Sequence, residues 1–165
     1  MSVPIEWKKG GLAYKSGLTL KMAKKMLDAA EKESERLEVP MSIAISDSGG
    51  HLVAFIRTDN AILCSIQISM DKAYTAVFGK QPTNFWNKPK PGEVNPSFFH
   101  ERWMMLPGGL PLIKNNLLLG GIGVSGGSGM EDTSVALKAL KAGGFNTRAA
   151  ETYLSDVCKN KTKRF

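Results

Sequence analysis

The sequence has little of what supports disulfide bonding or metal coordination. Its 165 residues include two cysteines and two histidines. Cys64 and Cys158 lie far apart and form no CxxC motif, so their spacing predicts neither a disulfide framework nor a metal site. Two reduced thiols are typical of a cytoplasmic protein, and we expect this chain in that compartment.

Long apolar runs are also missing. No stretch approaches the roughly 18 consecutive apolar residues of a membrane span, and residues 1–11 lack a secretory apolar core. We therefore expect no membrane partner. The length and the 42% hydrophobic content suffice for one domain with its own core. We expect residues 1–165 to form a single domain.

The positive charge is concentrated at the end of the chain. The formal net charge is +7, and four basic residues occupy the last seven positions: Lys159, Lys161, Lys163 and Arg164. Such a tail is typical of a solvated terminus, and no nucleic-acid-binding motif accompanies it. We expect no nucleic-acid partner, while the remaining excess of charge is compatible with anionic small molecules.

The first half of the chain predicts a helix followed by a hairpin. Apolar residues recur at helical spacing over 18–37, and Thr19 is placed to cap the first turn. Residues 41–47 and 51–59 read as strands around a glycine turn. Asp47 fits the opening of that turn, because its side chain accepts hydrogen bonds from nearby backbone N–H groups.

The second half repeats this order. Residues 61–78 predict a helix, 108–126 a hairpin turning at Lys114-Asn115-Asn116, and 131–144 a helix, with another helix over 146–158. Tight turns between strand pairs indicate an antiparallel sheet. The predicted fold class is therefore α/β in the α+β sense, with helices packed against one face of the sheet.

Two irregular segments are candidates for function. Residues 82–107 form a long segment rich in proline and aromatic residues, which is typical of a functional loop or an interface. Residues 123–132 read GVSGGSGMED, where a strand gives way to a helix. Backbone N–H groups there are able to face an anion, and Asp132 is either a helix cap or a ligand contact. The segment does not match a P-loop.

Four motifs in order resemble the GlcG/HbpS family, which includes the PduO C-terminal domain. They are DSGGHLVAFIRTDNA, SxxxSxxKAYTAVF, LPGGLPL and GGIGVSGGSGMED, and the resemblance spans about residues 18–144. It implies a compact profilin-like domain that forms homo-oligomers. Several members of that family bind haem or a corrinoid, and others are enzymes, notably 4-hydroxylaminobenzoate lyases.

The resemblance first implies a protein that binds haem or a related tetrapyrrole. An axial histidine near the first helix is expected from haem-binding relatives, yet no histidine precedes His51. His100 is the best candidate ligand for haem iron and His51 the second, since haem iron prefers imidazole. The candidate walls of the pocket are Ser125, Gly126, Gly127 and Asp132.

The alternative is a cofactor-independent lyase acting on a small aromatic carboxylate such as 4-hydroxylaminobenzoate. Such a substrate needs a cation for its carboxylate, aromatic rings around its own ring and a proton donor. The candidate cations are Arg57, Lys72 and Arg102, the candidate rings are Phe85, Trp86, Phe99 and Trp103, and the candidate catalytic groups are His100, Glu101 and Tyr74. Lys72 and Tyr74 point to different sides of their helix, so at most one of them faces a shared pocket.

A third interpretation is a structural oligomer in which residues 82–107 cover a neighbouring subunit. Aromatic loops are ordinary interface material, and closed homo-oligomers are common. Whether the chain is catalytic stays open at the level of sequence.

Overall fold

A computed structural model describes residues 17–87 and 100–162, with side chains up to residue 156. The helices are α1 (Leu20–Leu37), α2 (Cys64–Gly79), α3 (Gly129–Gly143) and α4 (Arg148–Thr162), and a 3-10 turn spans Thr83–Asn87. The strands are β1 (Ser42–Asp47), β2 (Leu52–Arg57), β3 (Gly109–Lys114) and β4 (Leu117–Ser125). Phe99, most of the proline-rich segment and the side chains of the basic tail lie outside the described residues. No helix in the described ranges is long and apolar enough to cross a membrane.

The four strands form one antiparallel sheet in the order β2-β1-β4-β3. Asp47 closes the β1–β2 turn, because its Oδ1 accepts the N–H groups of Gly49 at 2.9 Å and His51 at 3.0 Å. Asn115 and Asn116 close the β3–β4 turn with φ values of 49° and 61°. Both predicted turns are confirmed, as is the α+β class with an antiparallel sheet.

One face of the sheet holds the main hydrophobic core. Helices α1 and α3 pack together over the large apolar side chains of β1, β3 and β4, which include Ile43, Leu112 and Ile122. The hydroxyl of Thr19 accepts the N–H of Met22 at 3.2 Å, so the predicted cap of α1 is confirmed. The packing of α1 and α3 on the sheet is stabilised by the burial of apolar surface.

Helix α2 covers the opposite face, so the expectation that all helices share one face is wrong. A Cβ placed on Gly121 or Gly123 of β4 would strike the backbone carbonyls of Ala73 or Ser69 in α2. The helix therefore lies directly on the backbone of the sheet. Small side chains on this face permit that approach, and the large side chains that alternate with them point into the α1/α3 layer.

Glu33 joins α1 to α3 through a partly buried ion pair. Its carboxylate accepts two hydrogen bonds from Arg36, at 2.8 and 3.0 Å, and one from the hydroxyl of Ser134 at 3.2 Å, while the Lys138 ammonium lies 3.8 Å away. The hydrogen bonds from Arg36 are the main cause that lowers the pKa of Glu33 below its usual value.

We expect Glu33→Gln to remove part of the acid sensitivity of the fold. A carboxyl whose folded-state pKa is depressed contributes stability above its unfolded pKa of roughly 4.3, and that contribution is lost as the pH falls further. Urea unfolding at pH 7 and at pH 3 measures the difference. The loss of stability on acidification should be smaller in Glu33→Gln than in Glu35→Gln, whose carboxyl lies on the exposed side of α1. Equal losses in both variants would contradict this role.

Candidate functional site

The predicted site residues fall into separate groups, and the first is a buried ion pair. The ammonium of Lys72 donates to Asp132 Oδ2 at 2.7 Å and to the carbonyl of Val124 at 2.7 Å. The side chains of Lys72 and Asp132 are 2% and 4% exposed. The pair therefore ties α2 to the start of α3 beneath the surface, and neither side chain is open to a ligand in this conformation.

Burial governs the titration of both partners. Loss of hydration lowers the pKa of Lys72 and raises the pKa of Asp132, while the mutual attraction of the two charges opposes each shift. Asp132 also raises the pKa of Tyr153 in α4, after the larger effect of burial on that phenol. Strongly perturbed groups often mark functional sites, but structural ion pairs perturb pKa values in the same way.

In the glycine-rich segment at residues 123–132, two backbone N–H groups donate to carboxylates of the chain itself. Gly127 donates its N–H to Asp132 Oδ1 at 2.9 Å, and Ser128 donates its own to Glu131 at 2.7 Å. Ser128 is the N-cap of α3 and forms a capping box with Glu131. The interpretation of Asp132 as the helix cap is therefore wrong, since its carboxylate serves Lys72 and the loop instead.

The second group surrounds Tyr74 on the outer face of α2. The Tyr74 hydroxyl lies 3.0 Å from His100 Nε2, and the Arg102 guanidinium lies 4.1 Å from the centre of the Tyr74 ring. Phe78 stacks on Tyr74 with ring centres 4.3 Å apart. We call the surface formed by Tyr74, Phe78, His100 and Arg102 the Tyr74 surface. It brings together three of the predicted site residues, and Lys72 points away from it as expected.

The segment that carries His100 and Arg102 is fastened along α2. Arg102 Nε donates to Asp71 at 2.9 Å, and Thr75 donates its hydroxyl to the carbonyl of Arg102 at 3.1 Å. The N–H of Met104 donates to the same Thr75 hydroxyl oxygen at 2.8 Å. Glu101 is exposed between the two anchored residues. These contacts fix the Arg102 guanidinium over the Tyr74 ring.

The third group is aromatic. Trp86 packs edge-on against Phe85 and against Trp103, with ring centres 5.1 and 5.3 Å apart. The Trp86 indole also covers Gly79 at the end of α2. The indole N–H groups of Trp86 and Trp103 are buried and have no acceptor among the residues that the structure describes. These two rings act as packing for the segment after α2, while Phe85 stays half exposed.

Arg57 is the predicted residue that lies apart from the others. It ends the edge strand β2 and lines an open groove of about 420 Å³ with Thr58, Asp59 and the carboxyl-terminal end of α1. Four of the nine residues that line the groove are acidic, and Arg57 is exposed. Within one copy of the chain, Arg57 does not join the Tyr74 surface.

Sequence reasoning missed two members of this site. Asp71 orients Arg102, and Phe78 supplies the second ring of the stack. Their signal is helical spacing, since Asp71, Tyr74, Thr75 and Phe78 stand at i, i+3, i+4 and i+7 and share one side of α2. Such spacing identifies one side of the helix, but it does not identify the distant segment of the chain that packs on that side.

The chain belongs to the HbpS-like family. The family model described as "Haem degrading protein HbpS-like" matches residues 18–141, which confirms the resemblance to the GlcG/HbpS family. A 15.0 kDa protein of the dhaT-dhaS intergenic region of Citrobacter freundii is 35% identical over 130 residues, covering 74% of this chain and 89% of its own. Among solved structures, a PduOC:haem complex aligns with a TM-score of 0.74 and 29% identity, over 79% of this chain and 97% of that one.

One relative is much longer than the region it shares with this chain. The corrinoid adenosyltransferase PduO of Citrobacter freundii is 35% identical over 118 residues, which cover 69% of this chain but 35% of PduO. The chain thus spans about a third of that protein. The names of these matches provide no support for the lyase alternative.

Proposed function

We propose that the chain binds haem or a related tetrapyrrole at the Tyr74 surface. The observation that carries the proposal is the stacked Tyr74–Phe78 pair with the Arg102 guanidinium beside it. Phe78 is 51% exposed and the Arg102 side chain 38% exposed, so both are open to a ligand. Membership of the HbpS-like family and the likeness to a PduOC:haem complex support the choice of ligand.

The chemistry of this surface suits a flat ligand with an acidic edge. A tetrapyrrole macrocycle gains dispersion and hydrophobic energy against aromatic faces, and the half-exposed Phe78 ring offers one. Its carboxylates require a cation, and a guanidinium pairs with carboxylate oxygens in a fixed planar geometry. Asp71 holds Arg102 in place through Nε, which orients the guanidinium before a ligand arrives.

His100 does not fit the role of iron ligand as it is placed. Its Nδ1 accepts the N–H of Arg102 at 3.2 Å, so the ring proton of the neutral imidazole resides on Nε2 and faces the Tyr74 oxygen at 3.0 Å. Iron requires an unprotonated nitrogen, so coordination through Nε2 requires a change of tautomer and the loss of both contacts. We therefore assign binding to the periphery of the macrocycle.

Titration with haemin and with metal-free protoporphyrin tests this assignment. We expect saturable binding of both, with dissociation constants within about tenfold of each other, because iron coordination is not the main interaction. Arg102→Ala should weaken both by roughly tenfold or more, the effect of losing one charge-assisted hydrogen bond. Arg36→Ala, which removes an exposed guanidinium from α1, is the matched control and should leave binding unchanged.

Two outcomes would change the proposal. Binding of haemin without binding of the metal-free ring, abolished in His100→Ala, would restore His100 as the axial ligand. Absence of saturable binding to either ring would reject a tetrapyrrole as the ligand of this surface.

A further inference from the structure

We infer that residues 3–7 of the chain dock on the open edge of the chain's own sheet, as a fifth strand antiparallel to β2. Residues 1–16 precede the part of the chain that the structure describes. This docking goes beyond the proposed function and is independent of any ligand at the Tyr74 surface.

The sheet has one covered edge and one open edge. On the outer side of β3, the Asn146 N–H donates to the carbonyl of Ile113. The Gly109 N–H on the same side donates to the Thr83 hydroxyl. In the described ranges, no strand pairs with the outer side of β2. An unpaired edge of this kind is a template for a further strand.

The outward backbone groups of this edge belong to Phe55 and Arg57. Thr58 donates its N–H to the carbonyl of Met41 at 2.9 Å, so Thr58 faces inward toward β1. Backbone groups alternate in direction along an antiparallel strand, and those of Arg57 and Phe55 therefore point outward. The register with β1 then skips Val53 at a bulge, and Val53 packs with the α1/α3 core.

The side chains of Leu52 and Phe55 form an apolar surface beside this edge. The bulge keeps both on one face of the sheet, since Leu52 pairs with Ser46 and Phe55 with Ala44. Helix α2 packs on this face over β1, β3 and β4. Leu52 is 52% exposed, and Ile62 at the near end of α2 is 56% exposed. Exposed apolar side chains beside an unpaired edge are typical of an interface.

Residues 3–7 have the pattern of a strand with one apolar face. They read VPIEW, in which Val3, Ile5 and Trp7 alternate with Pro4 and Glu6. Proline has no N–H, so Pro4 suits an edge strand whose nitrogen at that position points away from the neighbouring strand. The backbone groups of Val3, Ile5 and Trp7 then point toward β2.

The backbone and side-chain requirements are met by the same register. Residues that stand directly opposite each other carry their side chains on the same face of a sheet. With Ile5 opposite Phe55, the apolar side chains of residues 3–7 lie on the face that carries Leu52. Val3 then stands opposite Arg57, the other residue with outward backbone groups. The hydrogen bonds, the proline and the apolar surface are satisfied together.

The start of α1 lies at the end of the sheet that this pairing requires. A Cβ on Gly17 would lie 2.8 Å from the side chain of Leu119. The next residue, Gly120, pairs with Asp47 at the end of β1. Since β2 leads away from this end, a segment that arrives here runs antiparallel to β2.

The linker between the two elements is long enough. Residues 8–16 extend to about 30 Å. Three strand spacings, from β4 to the far side of β2, amount to about 14 Å. Two adjacent glycines in the linker suit a sharp return toward α1.

Cysteine cross-linking tests the docking in the full chain. In a Cys64→Ser/Cys158→Ser background, Ile5→Cys/Phe55→Cys places two Cα atoms about 5.5 Å apart, which is within disulfide range. Pro4→Cys/Phe55→Cys is the matched control, because residue 4 carries its side chain on the opposite face. We expect the intramolecular disulfide to form about tenfold faster in the first variant, since thiols on opposite faces cannot join without movement of the backbone.

Peptide mapping without reduction identifies the linked residues. Equal rates in the two variants would overturn the inference, because they show that the segment has no fixed register on β2. A disulfide between two chains in place of the intramolecular one overturns it as well, and assigns the edge to a second copy.

Hydrogen exchange provides a second test without cysteine substitutions. The amides of Phe55 and Arg57 point away from β1, so their protection depends on a partner on the outer side. We expect Ile5→Pro to speed their exchange about tenfold, the effect of losing one hydrogen-bonded pair. Glu6→Pro is the control, since the N–H of residue 6 points away from β2. Exchange that is unprotected in the parent chain, or unchanged by Ile5→Pro, rules out the fifth strand.

Discussion

Replacing Lys72 with methionine lowers the free energy of unfolding by about 3–5 kcal/mol, since removal of one partner leaves the other as an uncompensated charge in the core. Asp132 is the charge left behind, and its carboxylate is 4% exposed. The carbonyl of Val124 loses its contact with the ammonium in the same step. Urea unfolding followed by circular dichroism measures the change.

The matched control is Lys141→Met at the other end of α3. Lys141 pairs with Glu151 at 3.1 Å, but both side chains are about half exposed. Exposed pairs contribute about 0–1 kcal/mol, so this variant should be nearly neutral. If Lys72→Met is as mild as Lys141→Met, the buried pair does not hold α2 to α3.

A double variant separates charge from packing. Lys72→Met/Asp132→Leu removes both buried charges, and replacement of a whole buried pair by apolar groups is often neutral or stabilising. We expect it to recover much of the stability that Lys72→Met loses. Its Gly127 N–H lacks the Asp132 acceptor, so a residual loss should concentrate at the start of α3 and appear as faster hydrogen exchange there.

Local structure was predictable from the sequence because each element carries its own signal. Helix α1 has a capping residue and an apolar stripe. One hairpin turns at asparagines, which tolerate positive φ, and the other turns at an aspartate whose side chain accepts backbone hydrogen bonds. The capping box of α3 was also present, as Ser128 followed three residues later by Glu131. Asp132 was named as a helix cap or a ligand contact because a carboxylate one position further on carries the same local preference for a helix start.

Contacts between distant segments were not predictable in this way. Lys72 and Asp132 were each named as site residues, yet nothing local joins residues 60 positions apart. The Tyr74 surface similarly depends on a segment that crosses α2 after an irregular stretch. Residue types indicated a cation, a phenol and an imidazole, whereas their partners depend on tertiary packing.

The sequence does contain a sign that helices cover both faces of the sheet. From the sequence alone, we expect the helices against one face of the sheet. In β1 and β4, however, large residues alternate with small ones: Ile43, Ile45, Ile122 and Val124 against Ser42, Ala44, Gly121 and Gly123. Both sets are buried. A strand that carries small side chains instead of charged ones on its second face is covered on both faces. A helix packs at close range against the face with the small side chains.

Replacing Gly123 with alanine tests that close approach, and we expect a loss of about 3 kcal/mol, at the upper end of the usual cost of overpacking a core. The added methyl group would collide with the carbonyl of Ser69 and crowd the backbone nitrogen of Ala73. Both are backbone atoms of α2, so the helix has to move away from the sheet. That movement also strains the contacts of Lys72 with Val124 and Asp132. Thermal and urea unfolding measure the loss.

Gly49→Ala is the matched control, because it adds the same methyl group in the β1–β2 turn. The nearest atoms there belong to the His51 ring, the end of a side chain that is 81% exposed and has solvent to move into. Surface changes of this kind usually stay within about 0.5 kcal/mol. A displaced α2 also carries Tyr74 and Phe78 with it, so Gly123→Ala should weaken ligand binding at a temperature where the protein is still folded. If Gly123→Ala is as mild as Gly49→Ala, the helix does not rest on the backbone of β4, and the close packing that positions the Tyr74 surface is wrong.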